Sequence, residues 1–159
     1  MGTDGVSVLA QLERRAPLTD PGSLAGAASL RLPARLESVR SARDFTRDIL
    51  NTWRLAAQFD AVGLVVSELV TNALRHGSDG CPPIPGVSPV ELELLRGRRR
   101  LVCAVHDQST AEPHVNDADI SDEGGRGLRL VECFSDGWGW RERGNGLRGK
   151  VVWASFRLD

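Results

Sequence analysis

The sequence predicts an α+β fold, a two-layer sandwich in which a mixed, mostly antiparallel sheet carries helices on one face. Two stretches with apolar residues at helical spacing are followed by segments that alternate with a period of two, in the order strand, helix, helix, strands, helix, strands. The 159 residues, 41% apolar and 26% charged, suffice for one domain with its own core.

Residues 1–28 are small and polar, interrupted by Pro17, Pro21, Gly22 and Gly26, and are expected to form a poorly ordered arm, leaving 29–159 as the domain. Residues 29–32 alternate as a short strand does, and Pro33 closes it. Glu37 then opens a helix in which Val39, Ala42, Phe45, Ile49 and Leu50 recur at spacings of three and four as far as Trp53. Asp60 is the expected N-cap of a second helix over 61–75, where Val62, Val65, Val66, Leu69, Ala73 and Leu74 form a broad apolar face that Gly77 ends. Prolines and glycines make 78–89 a loop. Val90, Leu92 and Leu94 alternate with Glu91 and Glu93, and Leu101, Cys103 and Val105 repeat the pattern after a turn, as the two arms of a hairpin do. Residues 108–125 are polar, acidic and aperiodic, a length of loop that in a compact domain points to function. A helix over 126–133 and strands around Trp138–Trp140 and 152–158 complete the order.

The charge balance excludes several classes. Twenty basic and 21 acidic residues leave a formal charge of −1, not the basic footprint of a nucleic-acid binder. No apolar run approaches the roughly 18 residues of a membrane span, and the N-terminus has no signal-peptide pattern, so a cytoplasmic location is expected. Cys81, Cys103 and Cys133 form no CxxC pair and are expected to be reduced and structural.

The string GNGLRGKV at 144–151 fits GxGxxG and nearly fits a P-loop. Both motifs must open a helix, whereas the residues after Lys150 alternate as a strand, so a hairpin turn is the better reading. Another set of residues carries more chemistry. Glu68, Asn72 and His76 recur every fourth residue and share one row of the second helix. An Asn carbonyl can be one of the few protein oxygens that magnesium takes alongside phosphates and water, and a carboxylate one turn away can accept a proton. Taken alone, the row also fits a solvated helix edge. Counting by twos from Leu101 puts Asp107 on the apolar face of its strand, where a carboxylate needs a donor, and an adenine amino group supplies one. Alternatively Asp107 caps the start of the loop. Gly124, Gly125, Arg126 and Gly127, at the head of the third helix, would let backbone amides approach a polyphosphate, or form a plain hinge.

Together, SELVTNALRHG at 67–77, VHDQS at 105–109, GRGLRLV at 125–131 and GKVVW at 149–153 resemble the histidine-kinase-like ATPase superfamily, and within it the anti-sigma-factor serine kinases, above all the small stand-alone actinobacterial members. The resemblance covers about residues 29–158 and implies the histidine-kinase-like ATPase fold. It implies ATP and Mg2+ as cofactors, Asn72 as the magnesium ligand, Glu68 as general base and Asp107 as the adenine-binding residue. It places His76, Gly125, Arg126, Gly127 and Leu128 in the nucleotide site and makes 108–124 a lid. Where the family has Asp-x-Gly-x-Gly, this chain has DQSTA at 107–111, without either glycine, which favours weak turnover. His76, His106 and His114 lie within these motifs or the lid, so none suits a phosphoacceptor. The implied function is an ATP-dependent serine/threonine protein kinase and anti-sigma factor of the partner-switching type, acting on an anti-anti-sigma-like protein. The alternative is an ATP-binding module that sequesters a sigma factor or other partner with little or no catalysis. The resemblance also suggests a homodimer, and neither nucleic acid nor membrane is an expected partner.

Overall fold

The computed structural model describes residues 24–76, 89–109, 123–143 and 148–158. Among these residues the elements are β1 (Gly26–Leu32), α1 (Glu37–Thr52), α2 (Phe59–His76), β2 (Val90–Arg96), β3 (Arg100–Asp107), α3 (Glu123–Phe134), β4 (Gly137–Glu142) and β5 (Lys150–Arg157), with a 3-10 turn at Ala56–Gln58. The strands form one open sheet in the order β1-β2-β3-β5-β4. All four pairings are antiparallel, where the sequence had allowed a mixed sheet.

Strand alternation sends Leu30, Leu92, Val105, Val152 and Trp140 to the helix side in one register row. These residues meet Ala42 and Leu50 of α1, Val62, Val65, Val66, Leu69 and Ala73 of α2, and Leu128 and Val131 of α3 in a single core. The opposite face of the sheet carries a second apolar cluster, Leu95, Val102, Ala104, Val151 and Trp153. Buried among the core residues, Cys103 is a free thiol pushed up to about 12 by desolvation, which makes it inert. Cys133 is free and exposed, and Cys81 lies outside the described residues.

Three boundaries differ from the sequence expectation, each for a physical reason. β1 starts at Gly26 rather than Ser29, because the Ala25 amide donates to the Arg96 carbonyl at 2.7 Å and the ladder continues from there. Ala27, Ser29 and Arg31 of this edge strand are exposed, so its early residues carry little hydrophobic signal. α2 follows directly from the 3-10 turn and starts at Phe59, which places Asp60 in the first turn instead of at the N-cap. An acidic residue there still complements the helix dipole. α3 starts at Glu123, so the glycine-rich motif lies inside the helix rather than at its junction with the loop. Glycine costs about 1 kcal/mol per helical position, which erases the sequence signal, and packing against α2 overrides that cost.

α1 and α2 are joined by a tight reversal. The Trp53 amide donates to the Ile49 carbonyl at 2.9 Å and the Leu55 amide to the Leu50 carbonyl at 2.7 Å, with Arg54 at φ 60° between them. The Arg96 guanidinium donates to the Trp53 carbonyl and ties this corner to β2. At the start of α2, Arg47 lies over the Phe59 ring, 4.7 Å from its centroid.

Leu92, fully buried in the middle of the helix-facing layer, tests this packing. Leu92→Ala is expected to lower unfolding free energy by about 2–5 kcal/mol, measured by urea denaturation.

Candidate functional site

The helix-facing surface of the sheet ends in a polar pair. Asp107 follows Leu101, Cys103 and Val105 by twos on β3, and Lys150 precedes Val152, Ala154 and Phe156 by twos on β5; the register sets the two residues opposite each other. The Lys150 Nζ lies 3.1 Å from Oδ1 and 3.1 Å from Oδ2 of Asp107. The Ser109 amide donates to Oδ1 at 2.9 Å. The two side chains are only 4% and 2% exposed. Burial pushes the Asp107 carboxyl above the usual carboxylate range, against the opposing pull of Lys150 and the Ser109 amide.

Sequence reasoning placed Asp107 on the apolar face and concluded that it needs a donor. The fold supplies one from within the chain, Lys150. That residue was missed because its string was read as a hairpin turn leading into the family-like GKVVW strand, with no role given to the lysine side chain. The signal was nevertheless present: the same count by twos, run backwards from Phe156, puts Lys150 on the core face of β5. The hairpin reading of the string agrees with the fold, since β4 and β5 pair antiparallel and β5 begins at Lys150; residues 144–147 lie outside the described ones.

Gly149 holds the pair in place. Its φ is +117°, and a Cβ built there would lie 2.0 Å from the Asp107 carbonyl oxygen. Only glycine combines that backbone conformation with that approach.

Across the layer, α2 carries Glu68 and Asn72 on one side of its buried stripe, both half-buried. His76 is the last residue of the helix, and its side chain lies outside the described ones. α3 crosses α2 so closely that a Cβ on Gly127 would lie 2.8 Å from Oε2 of Glu68. The glycine therefore makes room for the carboxylate. Gly125 and Arg126 fall in the first turn of α3, where helical amides have no partner within the helix and favour an anion. The Leu128 side chain is in the core, 2% exposed, so only its backbone can face a nucleotide. His106 points to the other side of the sheet, where its Nε2 lies 2.5 Å from Glu93 Oε1.

Among the described residues no group of three or more His, Cys, Asp or Glu side chains is arranged to hold a metal. The half-buried Asn72 offers a side-chain carbonyl oxygen, a ligand type that magnesium can take alongside phosphate and water. No described helix is long and apolar enough to cross a membrane.

The two glycines should respond differently to the same substitution. In Gly149→Ala the new methyl meets backbone and a positive φ, so a stability loss of at least about 1–3 kcal/mol is expected. In Gly127→Ala it meets the end of a flexible side chain, so the melting temperature should hold while the Glu68 carboxylate is displaced. Calorimetric melting of both variants checks the contrast.

The histidine kinase-like ATPase domain model matches residues 32–156. No curated protein matches the chain significantly. Among solved structures, the SiaB–SiaC complex from Pseudomonas aeruginosa is similar with a TM-score of 0.51 at 12% identity, over 99% of this chain and 100% of that one. The histidine kinase domain from the Erythrobacter litoralis EL346 blue-light activated histidine kinase aligns with a TM-score of 0.39 at 24% identity, over 65% of this chain and 46% of that one. The family match runs from the last residue of β1 to the penultimate residue of β5 and includes Glu68, Asn72, Asp107, the α3 glycines and Lys150: the chain belongs to the histidine kinase-like ATPase domain family.

Proposed function

We propose that the chain is an ATP- and magnesium-dependent serine/threonine protein kinase and anti-sigma factor of the partner-switching type, whose substrate is an anti-anti-sigma-like protein. The observation that carries this reading is the contact of Glu68 with Gly127, which sets a carboxylate of α2 against the glycine-rich turns of α3. A nucleotide whose phosphates met the α3 amides would have its terminal phosphoryl group beside a proton acceptor. The solved structure of similar fold is a complex of two proteins, SiaB with SiaC, which supports a protein as the partner here as well.

In this reading Asp107 accepts from the adenine amino group, and Asn72 holds magnesium, which neutralises phosphate charge when bound. Glu68 takes the proton of the partner's Ser or Thr hydroxyl. That oxygen forms the new bond to the γ-phosphorus, the bond from phosphorus to the bridging oxygen breaks, and ADP leaves with the electron pair. Arg126 and the Gly125 and Gly127 backbone contribute to phosphate binding, and His76 closes the row on α2. The protein works in the cytoplasm and a homodimer is its assembly; of the expected lid, 108–124, residues 110–122 lie outside the described ones and Glu123 and Gly124 belong to α3.

One observation favours the second reading, an ATP-binding module that sequesters a sigma factor with little catalysis. Where the family pattern has glycines after the aspartate, this chain has Ser109 and Ala111; Ser109 is buried and its amide is engaged by Asp107, and Ala111 lies outside the described residues. Backbone approach to a ligand is restricted there.

Calorimetry with magnesium and ATP tests the site. The wild type is expected to bind, Asn72→Ala to lose the magnesium dependence, and Asp107→Ala to weaken ATP roughly 10-fold to 150-fold, the equivalent of about 1.5–3 kcal/mol for a charge-assisted hydrogen bond. Labelled γ-phosphate then separates the two readings. Glu68→Ala should keep ATP and lose transfer to the partner; a wild type that binds ATP and its partner without transfer would favour the sequestering module.

A further inference from the structure

Lys150 is the single lysine of a chain that uses arginine at every other basic position. It stands buried against Asp107 and the hairpin reading of its string gives it no role. A buried ion pair is often no better for stability than two apolar residues of the same volume, so packing alone does not account for it.

The hydrogen bonds of the pair are shared unevenly between the two carboxylate oxygens. Oδ1 of Asp107 accepts from both the Lys150 ammonium and the Ser109 amide, whereas Oδ2 faces the ammonium alone. The carboxylate thus keeps acceptor capacity on Oδ2, and the ammonium, with three donors, keeps at least one. An arginine here would engage both oxygens with its planar fork. The ammonium also meets both oxygens, but from a single nitrogen, so a carboxylate lone pair and an N–H donor remain side by side on the helix-facing end of the sheet. Adenine presents the complementary edge, the N6 amino donor next to the N1 acceptor, and lacks the carbonyl oxygen and N1 proton of guanine.

We propose that Lys150 is a specificity-determining residue of the nucleotide site, donating to N1 of the adenine whose N6 amino group is accepted by Asp107. The inference rests on the ATP reading above and extends it to a second residue on a different strand. Gly149 serves the same end, because its close approach to the Asp107 backbone sets the spacing of the two strands where the pair meets.

The test compares ATP with 1-deaza-ATP, in which a C–H replaces N1, by calorimetry with magnesium on the full chain. The wild type is expected to bind the analogue about 10-fold to 150-fold more weakly, and Lys150→Met to bind the two alike. Equal affinity of the wild type for both, full discrimination retained in Lys150→Met, or tighter binding of GTP than of ATP would each overturn the proposal. The wild-type comparison needs no variant, so it decides the matter even if Lys150→Met fails to fold. A wild type that binds neither nucleotide at millimolar concentration sinks the ATP reading itself. A wild type that binds ATP through Asn72 but is indifferent to N1 sinks only the role of Lys150.

Discussion

The burial of one helix stripe governs the rest of the molecule. Val62, Val65, Val66, Leu69, Val70 and Ala73 of α2 are at most 5% exposed, and α2 meets α1, α3 and strands β2, β3 and β5. Each of these side chains stabilises the fold by about 1.5–3 kcal/mol when removed from water, somewhat less for Ala73, so no other rotation of the helix competes. With 3.6 residues per turn, fixing that stripe also fixes everything beside it. Glu68 and Asn72 are placed by the core although neither belongs to it.

The sheet works by the same logic with a period of two. Each strand has one phase that buries its apolar residues, and that phase carries Asp107 and Lys150 to the core face at the end of β3 and β5. A slip of one residue would send both charges to the other side, where His106 and Val151 now lie. The pairing is costly to desolvate, and the neighbouring apolar rows offset that cost. Gly149 is the local condition, since a side chain at that position would separate the strands before the charges met.

Most of the architecture was legible because it rests on these two periods. α1, β2 and β3 announce themselves by strong contrast between adjacent residues. Where the contrast is weak the boundaries drifted: β1 begins among small exposed residues, and the first turn of α3 contains glycines, which carry little helical signal. Within the site, Glu68, Asn72 and Asp107 could be singled out because each is a polar residue on or beside an apolar face. Lys150 obeyed the same rule, yet a glycine-rich string drew the reading toward turn and phosphate motifs. The Glu68–Gly127 contact had no sequence signal, because it depends on how two helices cross.

That crossing also explains how one framework can serve chemistry or binding alone. The groups that would read a base, Asp107 and Lys150, belong to the rigid sheet and are tied to each other. The group that would take a proton, Glu68, is half-buried on a helix and is limited on one side by the backbone of another. In the proposed reading, base recognition would depend on strand register, which the core enforces strongly, whereas proton transfer would depend on the seating of α3 on α2. A small shift of α3 would alter the surroundings of Glu68 while leaving the Asp107–Lys150 pair untouched, so in that reading nucleotide binding would persist where catalysis had weakened.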